Sequence, residues 1–301
     1  MGQRIQNYVL LTAAYNEEAF IEKTLRSVLS QTVLPRKWVI VSDGSSDRTD
    51  QIVQCYSARH DFIKLLRVEK KEGHNFGAKV RALHKGMELL RDSEYDFIGN
   101  LDADVSLEST YFEDLMREMA ANPELGIASG FVCENHGAGF QSRWFNSKAN
   151  APHAAQLVRR ECYDLIGGYA ILKYGGEDWH AQTCAKMHGW QVESFPQLKI
   201  YHHRNTGAGD HPLRNAFRLG RMDYSFGSDP IFEVVKSIRK FKDKPYVICG
   251  FTRLLGFFWC YLCGEKRPVS HEFLTFLRRE QRARVSSLFS GQTLRPVADR
   301  K

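Results

Sequence analysis

Asn100-Leu101-Asp102-Ala103-Asp104-Val105-Ser106-Leu107-Glu108 follows an apolar run, Tyr95 to Gly99, that reads as the end of a buried strand. Two carboxylates one residue apart at the C-terminal end of a strand are unfavourable in a core. They are tolerated there when they hold a hard divalent cation, because oxygen ligands suit Mg²⁺ or Mn²⁺. A cation in that position can neutralise a diphosphate, and the neighbouring sequence supplies candidates for binding the rest of such a ligand.

Outward from this stretch, short apolar runs alternate with amphipathic ones, the pattern of an α/β domain with a mainly parallel sheet flanked by helices. Strands are predicted at Tyr8 to Ala14, Trp38 to Ser42, Ile63 to Val68, Phe97 to Leu101 and Gly126 to Val132. Ile21, Leu25, Val28 and Leu29 recur at helical spacing, as do Phe112, Leu115, Met116 and Met119, and a helix is predicted over Ala78 to Leu90. Asp47 is a candidate N-cap for a helix starting near Arg48. In open α/β sheets ligands sit at the carboxyl ends of strands. Here those ends carry Tyr15-Asn16-Glu17, Asp43, and Asp102 with Asp104. The first turn lacks G-x-G-x-x-G and no G-x-x-x-x-G-K-[ST] occurs, which excludes a nicotinamide-binding Rossmann unit and a P-loop protein.

Four more constellations carry possible chemistry. Asp43, beside Gly44-Ser45-Ser46, could accept a hydrogen bond from a base or serve only as a turn residue. Lys70 to Lys79, with Gly73 and Asn75, is a basic loop opening a helix, and its backbone N–H groups favour a phosphate. Glu177-Asp178 follows Gly175-Gly176 at a helix start. One acid could orient or cap while the other acts as a base, or both could simply suit the helix dipole. Tyr201-His202-His203-Arg204 ends another apolar strand, Leu198 to Tyr201. A neutral imidazole there suits a carboxylate-bound Mn²⁺, and Arg204 suits a phosphate.

Length and charge set the outer bounds. The chain has 301 residues, enough for one large α/β domain or a domain with an extension. No apolar leader precedes the first strand, so no secretory signal is expected. Seven cysteines, an odd number at irregular spacing, argue against a disulfide framework and for a reducing compartment. Cys260-x-x-Cys263 has no second pair to complete a zinc site, so both read as buried thiols. From Arg204 onward 19 Lys and Arg stand against 9 Asp and Glu, whereas the rest of the chain holds 23 basic and 26 acidic residues. A basic extension on a near-neutral body points to a polyanion, nucleic acid or an anionic membrane face. Tyr246 to Gly264 is almost wholly apolar but interrupted by Thr252 and Arg253. A span needs about 20 apolar residues. An arginine near the middle adds on the order of 2.5–3.5 kcal/mol to insertion. The segment therefore reads first as a helix lying in the interface, next as a buried or re-entrant helix, and last as a true span. Phe273, Phe276, Leu277 and Leu288, interleaved with Arg278, Arg279, Arg282 and Arg284, fit a basic amphipathic helix.

Taken in order, Ala13-Ala14-Tyr15-Asn16-Glu17-Glu18, Asp43-Gly44-Ser45-Ser46-Asp47, Asp102-Ala103-Asp104, Glu177-Asp178 and the late histidine at His202 or His203 resemble the motifs of glycosyltransferase family 2, nucleotide-sugar enzymes of the GT-A fold. The resemblance covers about Tyr8 to Arg204. It implies that Tyr15, Glu17 and Asp43 hold the base and ribose, with Ala13 and Ala103 in the same binding motifs. Asp102 would contact ribose or metal. Asp104, with His202 or His203, would hold Mn²⁺ or Mg²⁺ on the diphosphate. Gly73, Asn75 and Lys79 would face the phosphates, and Asp178, beside Glu177, would be the general base of an inverting transfer. The family usually has Pro where Ala13 stands. The Q-x-x-R-W motif of processive synthases is missing after Asp178, so one sugar added per acceptor is expected. The C-terminal third is similar to the tails of bacterial surface-polysaccharide transferases, which act at the cytoplasmic face of the inner membrane.

The expected organisation is a transferase domain over 1–210 and a helical, basic, membrane-associating extension over 211–301. The expected partners are a nucleotide diphosphate sugar, UDP-linked by preference, a glycan or lipid-linked acceptor, and an anionic membrane surface, but not nucleic acid. A nucleotidyltransferase is the rival enzyme. It would need a Gly-rich basic first loop, and Tyr15-Asn16-Glu17-Glu18 is acidic and free of glycine. A basic nucleic-acid-binding module is the rival from another class.

Overall fold

The structure, a computed structural model, describes residues 6–69, 77–135, 137, 139–204, 211–239 and 247–290. Gly73 and Asn75 lie outside the described residues. Two compact units are formed, one by Met1–Ile171 with Glu177–Thr206, the other by Leu172–Gly176 with Gly207–Lys301.

The first unit is a three-layer α/β sandwich. Strands β1 (Tyr8–Ala14), β2 (Lys37–Asp43), β3 (Ile63–Val68) and β4 (Phe97–Leu101) run parallel in the order β3-β2-β1-β4. Both faces of these strands are covered, so they read as continuous apolar runs. Tyr8, Leu10, Trp38 and Ile40 point to one face, where they meet Ile21, Leu25 and Val28 of α1 (Ile21–Leu29), Val53 of α2 (Thr49–Ser57) and Phe112, Leu115 and Met119 of α4 (Tyr111–Ala121). Val9, Leu11, Val39 and Val41 point to the other, against Val80 and Leu83 of α3 (Gly77–Glu88), Cys162 of α5 (Arg160–Ile166) and Ala181 and Ala185 of α6 (Glu177–Met187). Each large side chain so buried contributes about 1.5–3 kcal/mol.

Beyond β4 the sheet becomes mixed. β8 (Ala155–Arg159) lies antiparallel to both β4 and β6 (Leu125–Asn135). β9 (Gln191–His202) then runs parallel to β6, and the short β5 (Val105–Leu107) and β7 (Phe140–Ser142) are antiparallel additions. The predicted strand at Leu198 to Tyr201 is thus only the end of a twelve-residue one. Its first half is hidden in sequence by Pro196, which cannot donate to the ladder. The β6–β9 register jumps there, from Gly130 opposite Phe195 to Phe131 opposite Lys199. The bulge presses onto Gly130, where a Cβ would lie 2.3 Å from the Leu198 carbonyl oxygen.

The second unit is helical, with α7 (Pro212–Ser225), α8 (Pro230–Arg239), α9 (Ile248–Leu262) and α10 (His271–Ser290). α7 and α9 cross at paired glycines. A Cβ on Gly220 would lie 2.0 Å from the Arg253 carbonyl oxygen, and one on Gly256 2.1 Å from that of Phe217. Arg253, expected as a charge interrupting an apolar helix, faces inward. Its Nε donates to Glu233 Oε1 at 2.8 Å, its Nη2 donates to Asp223, and Lys236 Nζ donates to Asp223 Oδ1 at 2.9 Å. No helix among the described residues is long and apolar enough to cross a membrane. α9, with 15 residues, is roughly 22 Å long, against a hydrocarbon core of about 30 Å. The pairing of Cys260 and Cys263 as two buried thiols is corrected: Cys260 is buried, and Cys263, beyond the last turn of α9, is exposed.

Because backbone atoms form the crossing, Gly256→Val has no flexible side chain to push aside. It should destabilise the chain by about 1–3 kcal/mol or more. Thermal unfolding checks this, and an unchanged transition would contradict the close approach.

Candidate active site

The carboxyl ends of β1 and β2 lie level, with Ala14 opposite Ser42, and their loops are sewn together by side chains. Asn16 N–H donates to Ser45 Oγ at 3.1 Å, and Ser46 N–H donates to Asn16 Oδ1 at 2.8 Å. Glu17 N–H donates to Thr49 Oγ1 at 2.7 Å and Glu18 N–H to Asp47 Oδ2 at 3.0 Å. Asp47, the candidate N-cap, accepts from Thr49 N–H at 3.0 Å as well as serving this inter-loop contact. Asn16 stands at φ 53°, a left-handed conformation that asparagine tolerates better than most residues. The result is a rigid rim carrying Ala13, Tyr15, Glu17 and Asp43, all half-buried.

The Asp102-Ala103-Asp104 turn leaves β4 between two supports. On one side Thr24 Oγ1, from α1, donates to the carbonyls of Ala103 and Val105 at 2.9 and 2.8 Å. On the other, Asp102 N–H donates to the Ala154 carbonyl at 2.8 Å. β5 then pairs with β9, Val105 opposite His202. That pairing brings a residue about 100 positions away to the carboxylates: His202 Nε2 lies 3.4 Å from Asp104 Oδ1. Donor atoms of Asp102, Asp104 and His202 all fall within 4.8 Å of one another. His202 Nδ1 donates to the Arg204 carbonyl, which leaves Nε2 as the nitrogen turned to the carboxylates. His203 is not part of this trio. Its ring nitrogen pairs with Ser106 Oγ at 2.9 Å and its ring stacks on Phe20, because neighbours along an extended chain face opposite ways.

Charge is unevenly balanced in this corner. Burial, and next Asp102, raise the Asp104 carboxyl above the usual range. Burial, and next Asp104, push Glu17 up to about 7, even though Arg204 bonds it. Arg204 Nε also approaches Asp104 Oδ2 at 3.5 Å. Lys79, at the start of α3, donates to Asp102 Oδ1 at 2.6 Å. Burial pulls its ammonium down, but Asp102, Glu177 and Asp178 outweigh that and hold it above its ordinary value. One lysine thereby couples the turn to the Glu177-Asp178 pair at the start of α6. Asp178 is half-buried and accepts from Trp179 N–H at 2.7 Å, and its carboxyl is pushed up to about 6 by burial and next by Glu177. The close approach that Gly176 permits, at φ 88°, is to Phe226 and Met222 within the second unit.

Two crowded carboxylates and an imidazole nitrogen facing them fit a divalent cation, whose charge would offset the burial and repulsion that raise Asp104. Sequence reasoning had no route to Thr24 or Ala154, which position the turn, or to His153, whose Nδ1 lies 3.8 Å from Glu177 Oε1. A threonine on an amphipathic helix and a histidine in a loop carry no local signal.

Mn²⁺ should raise the melting temperature of the native chain, and Asp104→Ala should lose most of that rise. Scanning calorimetry with and without the ion checks it, and an equal shift in the variant would remove Asp104 from the metal site.

The model of the family described as Glycosyl transferase family 2 matches residues 10–176. Poly-β-1,6-N-acetyl-D-glucosamine synthase of Staphylococcus epidermidis is 31% identical over 128 residues, 42% of this chain and 29% of that protein. The Staphylococcus aureus protein of the same name is 29% identical over 126 residues, 42% of this chain and 28% of that one. The match therefore spans less than a third of the length of these relatives. Among solved structures, a mannosyltransferase of Pyrobaculum calidifontis, in complex with GDP-Man and Mn²⁺, superposes with a TM-score of 0.53 at 17% identity over 96% of this chain and 76% of that one. Residues 1–349 of S. aureus TarS, in complex with UDP-GlcNAc, superpose with a TM-score of 0.53 at 15% identity over 98% and 95%. The ordered motifs at the strand ends, the mixed sheet and the family match agree: this chain belongs to glycosyl transferase family 2 and has the GT-A fold.

Proposed function

We propose that this enzyme moves one sugar, with inversion at the anomeric carbon, from a nucleotide diphosphate sugar to a hydroxyl of a glycan or lipid-linked acceptor in surface-polysaccharide synthesis. The observation that carries the reading is Lys79, which ties the Asp102 carboxylate to the Glu177-Asp178 pair. A leaving diphosphate and an attacking hydroxyl need opposite chemistry within a few ångströms. Here a carboxylate corner suited to a cation and an acid with a raised pKa both act on one ammonium. Mn²⁺ or Mg²⁺ on Asp102, Asp104 and His202 would supply charge stabilisation for the leaving diphosphate. Arg204 and Lys79 add fixed positive charge beside it. Tyr15, Glu17 and Asp43, on the sewn rim, hold base and ribose. Asp178 takes the acceptor proton. The nucleotide sugars named with the solved neighbours, UDP-GlcNAc and GDP-Man, support a nucleotide sugar donor, and a UDP-sugar is the first choice.

A panel of nucleotide sugars with Mn²⁺ or Mg²⁺, scored by release of nucleotide diphosphate, tests the reading. Asp178→Asn should lower turnover about 10²–10⁴-fold while leaving donor affinity within a few-fold. A base must be deprotonated to act, so with its carboxyl near 6 the wild-type rate should climb as pH rises through about 6 and level off above it. A flat profile from pH 5 to 8, or a fully active variant, would dismiss Asp178 as the base.

We further propose that α9 rests on an anionic membrane surface at the cytoplasmic face. With Arg253 turned inward, Ile248, Phe251, Leu255, Trp259 and Leu262 recur at helical spacing on the outer side, and Leu262 is 82% exposed. Lys266 and Arg267 follow at its end, in the basic third of the chain. Interfacial binding scales with buried apolar area plus attraction to anionic lipid. The protein should co-sediment with phosphatidylglycerol vesicles, and Phe251→Glu with Leu255→Glu should reduce binding at least tenfold. Retention on a DNA column without vesicle binding would favour the nucleic-acid alternative instead.

A further inference from the structure

The segment Ala151-Pro152-His153-Ala154, between the β6–β7 hairpin and β8, is irregular yet deeply buried, and each of its carbonyls is held separately. Gln156 and Gln182 donate to the Ala151 carbonyl at 2.6 and 2.7 Å, and Gln182 Oε1 accepts from Ala151 N–H at 3.0 Å. Ser129 Oγ donates to the Pro152 carbonyl at 3.0 Å and Asn100 Nδ2 to that of His153 at 2.5 Å. The Ala154 carbonyl accepts from Asp102 N–H. Against this background the His153 imidazole stands out. The residue is 6% exposed, its ring packs edge-on against Tyr169, and neither ring nitrogen has a hydrogen-bond partner. Glu177 Oε1 lies 3.8 Å from Nδ1.

An unpaired buried imidazole costs on the order of 1–3 kcal/mol, so such a group persists where something else compensates. Two polar atoms 3.8 Å apart are too distant to bond each other, yet an oxygen roughly 2.8 Å from each would be within hydrogen-bond reach of both. We propose that His153 and Glu177 jointly bind one hydroxyl of a sugar substrate, Nδ1–H donating to the hydroxyl oxygen and the hydroxyl donating to the Glu177 carboxylate. Burial, and then Lys79, lower the imidazole well below its usual range, so the ring has one N–H donor, here assigned to Nδ1. The hydroxyl thereby occupies the Glu177 carboxylate beside Asp178, and sugars lacking that hydroxyl are discriminated against because two buried polar groups stay unpaired. The proposal rests on the sugar-transfer reading above and assigns His153 to substrate binding, not to the proton transfer.

The test compares wild type with His153→Leu by calorimetric titration in Mn²⁺, using UDP-N-acetylglucosamine and GDP-mannose against UDP and GDP. In the variant, affinity for the matching diphosphate should stay within twofold, affinity for the sugar-linked form should fall about tenfold, and the melting temperature should equal or exceed that of wild type. His153→Asn, which keeps a donor, should recover part of the loss. If donor affinity is unchanged but the acceptor KM rises about tenfold, the hydroxyl belongs to the acceptor and the proposal stands. Unchanged donor affinity together with unchanged kinetics overturns it, as does an equal loss for the diphosphate with a lowered melting temperature, which marks a merely structural ring. A wild-type chain that binds no nucleotide sugar overturns the transfer reading itself, an outcome distinct from wild-type binding that survives the substitution.

Discussion

Like-charge crowding at the carboxyl edge of the sheet is the constraint around which the first unit is arranged. Glu17, Asp102, Asp104, Glu177 and Asp178 all influence one another or Lys79, while Lys79 and Arg204 are the permanent cations bonded among them. Burial, and after it the surplus of negative charge, is why Glu17, Asp104 and Asp178 all titrate high. A protein that needed only stability would replace such a corner with apolar side chains. Keeping it makes sense when a ligand brings the missing charge.

Holding repelling groups in place requires rigid support, and the support is mostly uncharged. Thr24 clamps the Ala103 and Val105 carbonyls, Ser27 Oγ accepts from Leu107 N–H at 2.7 Å, and the loops after β1 and β2 share side-chain to backbone bonds. The pinned carbonyls of Ala151 to Ala154 serve the same end for the acidic pair and for Asp102. These contacts leave the acids little freedom to swing away from one another, so relief has to come from charge compensation.

The helical unit solves a different electrostatic problem. Arg253 is surrounded by Asp223 and Glu233, with Lys236 on the same Asp223, in a nearly dry interior. Burial, and next Asp223, push Glu233 up to about 7, while Asp223 is held below its usual range by Lys236 and Arg253 against the opposing push of burial. Satisfying the arginine inward leaves the opposite side of α9 largely apolar, with Ile248, Phe251, Leu255, Trp259 and Leu262 exposed. The close crossing at Gly220 and Gly256 is what lets the guanidinium reach across from α9 to α7 and α8.

Continuous apolar runs in β1, β2 and β4, and helical spacing in α1 and α4, are local properties, so the sequence alone determined the parallel half of the sheet and its flanking helices. The strand-end acids were legible for the same reason: a carboxylate directly after an apolar run is conspicuous without any partner. The limits of β9 were not, because Pro196 and the bulge break its alternation, and β5, β7 and β8 are too short or too late to show a period. Which histidine faces the carboxylates was decided only by the β5–β9 register, since one residue of slip exchanges His202 for His203. Arg253 likewise read as a defect in an apolar helix until two acids, 20 and 30 residues away in the chain, were brought beside it. Patterns along the chain report what each residue prefers, while pairing across the chain depends on contacts between distant segments that exist only once the fold has formed.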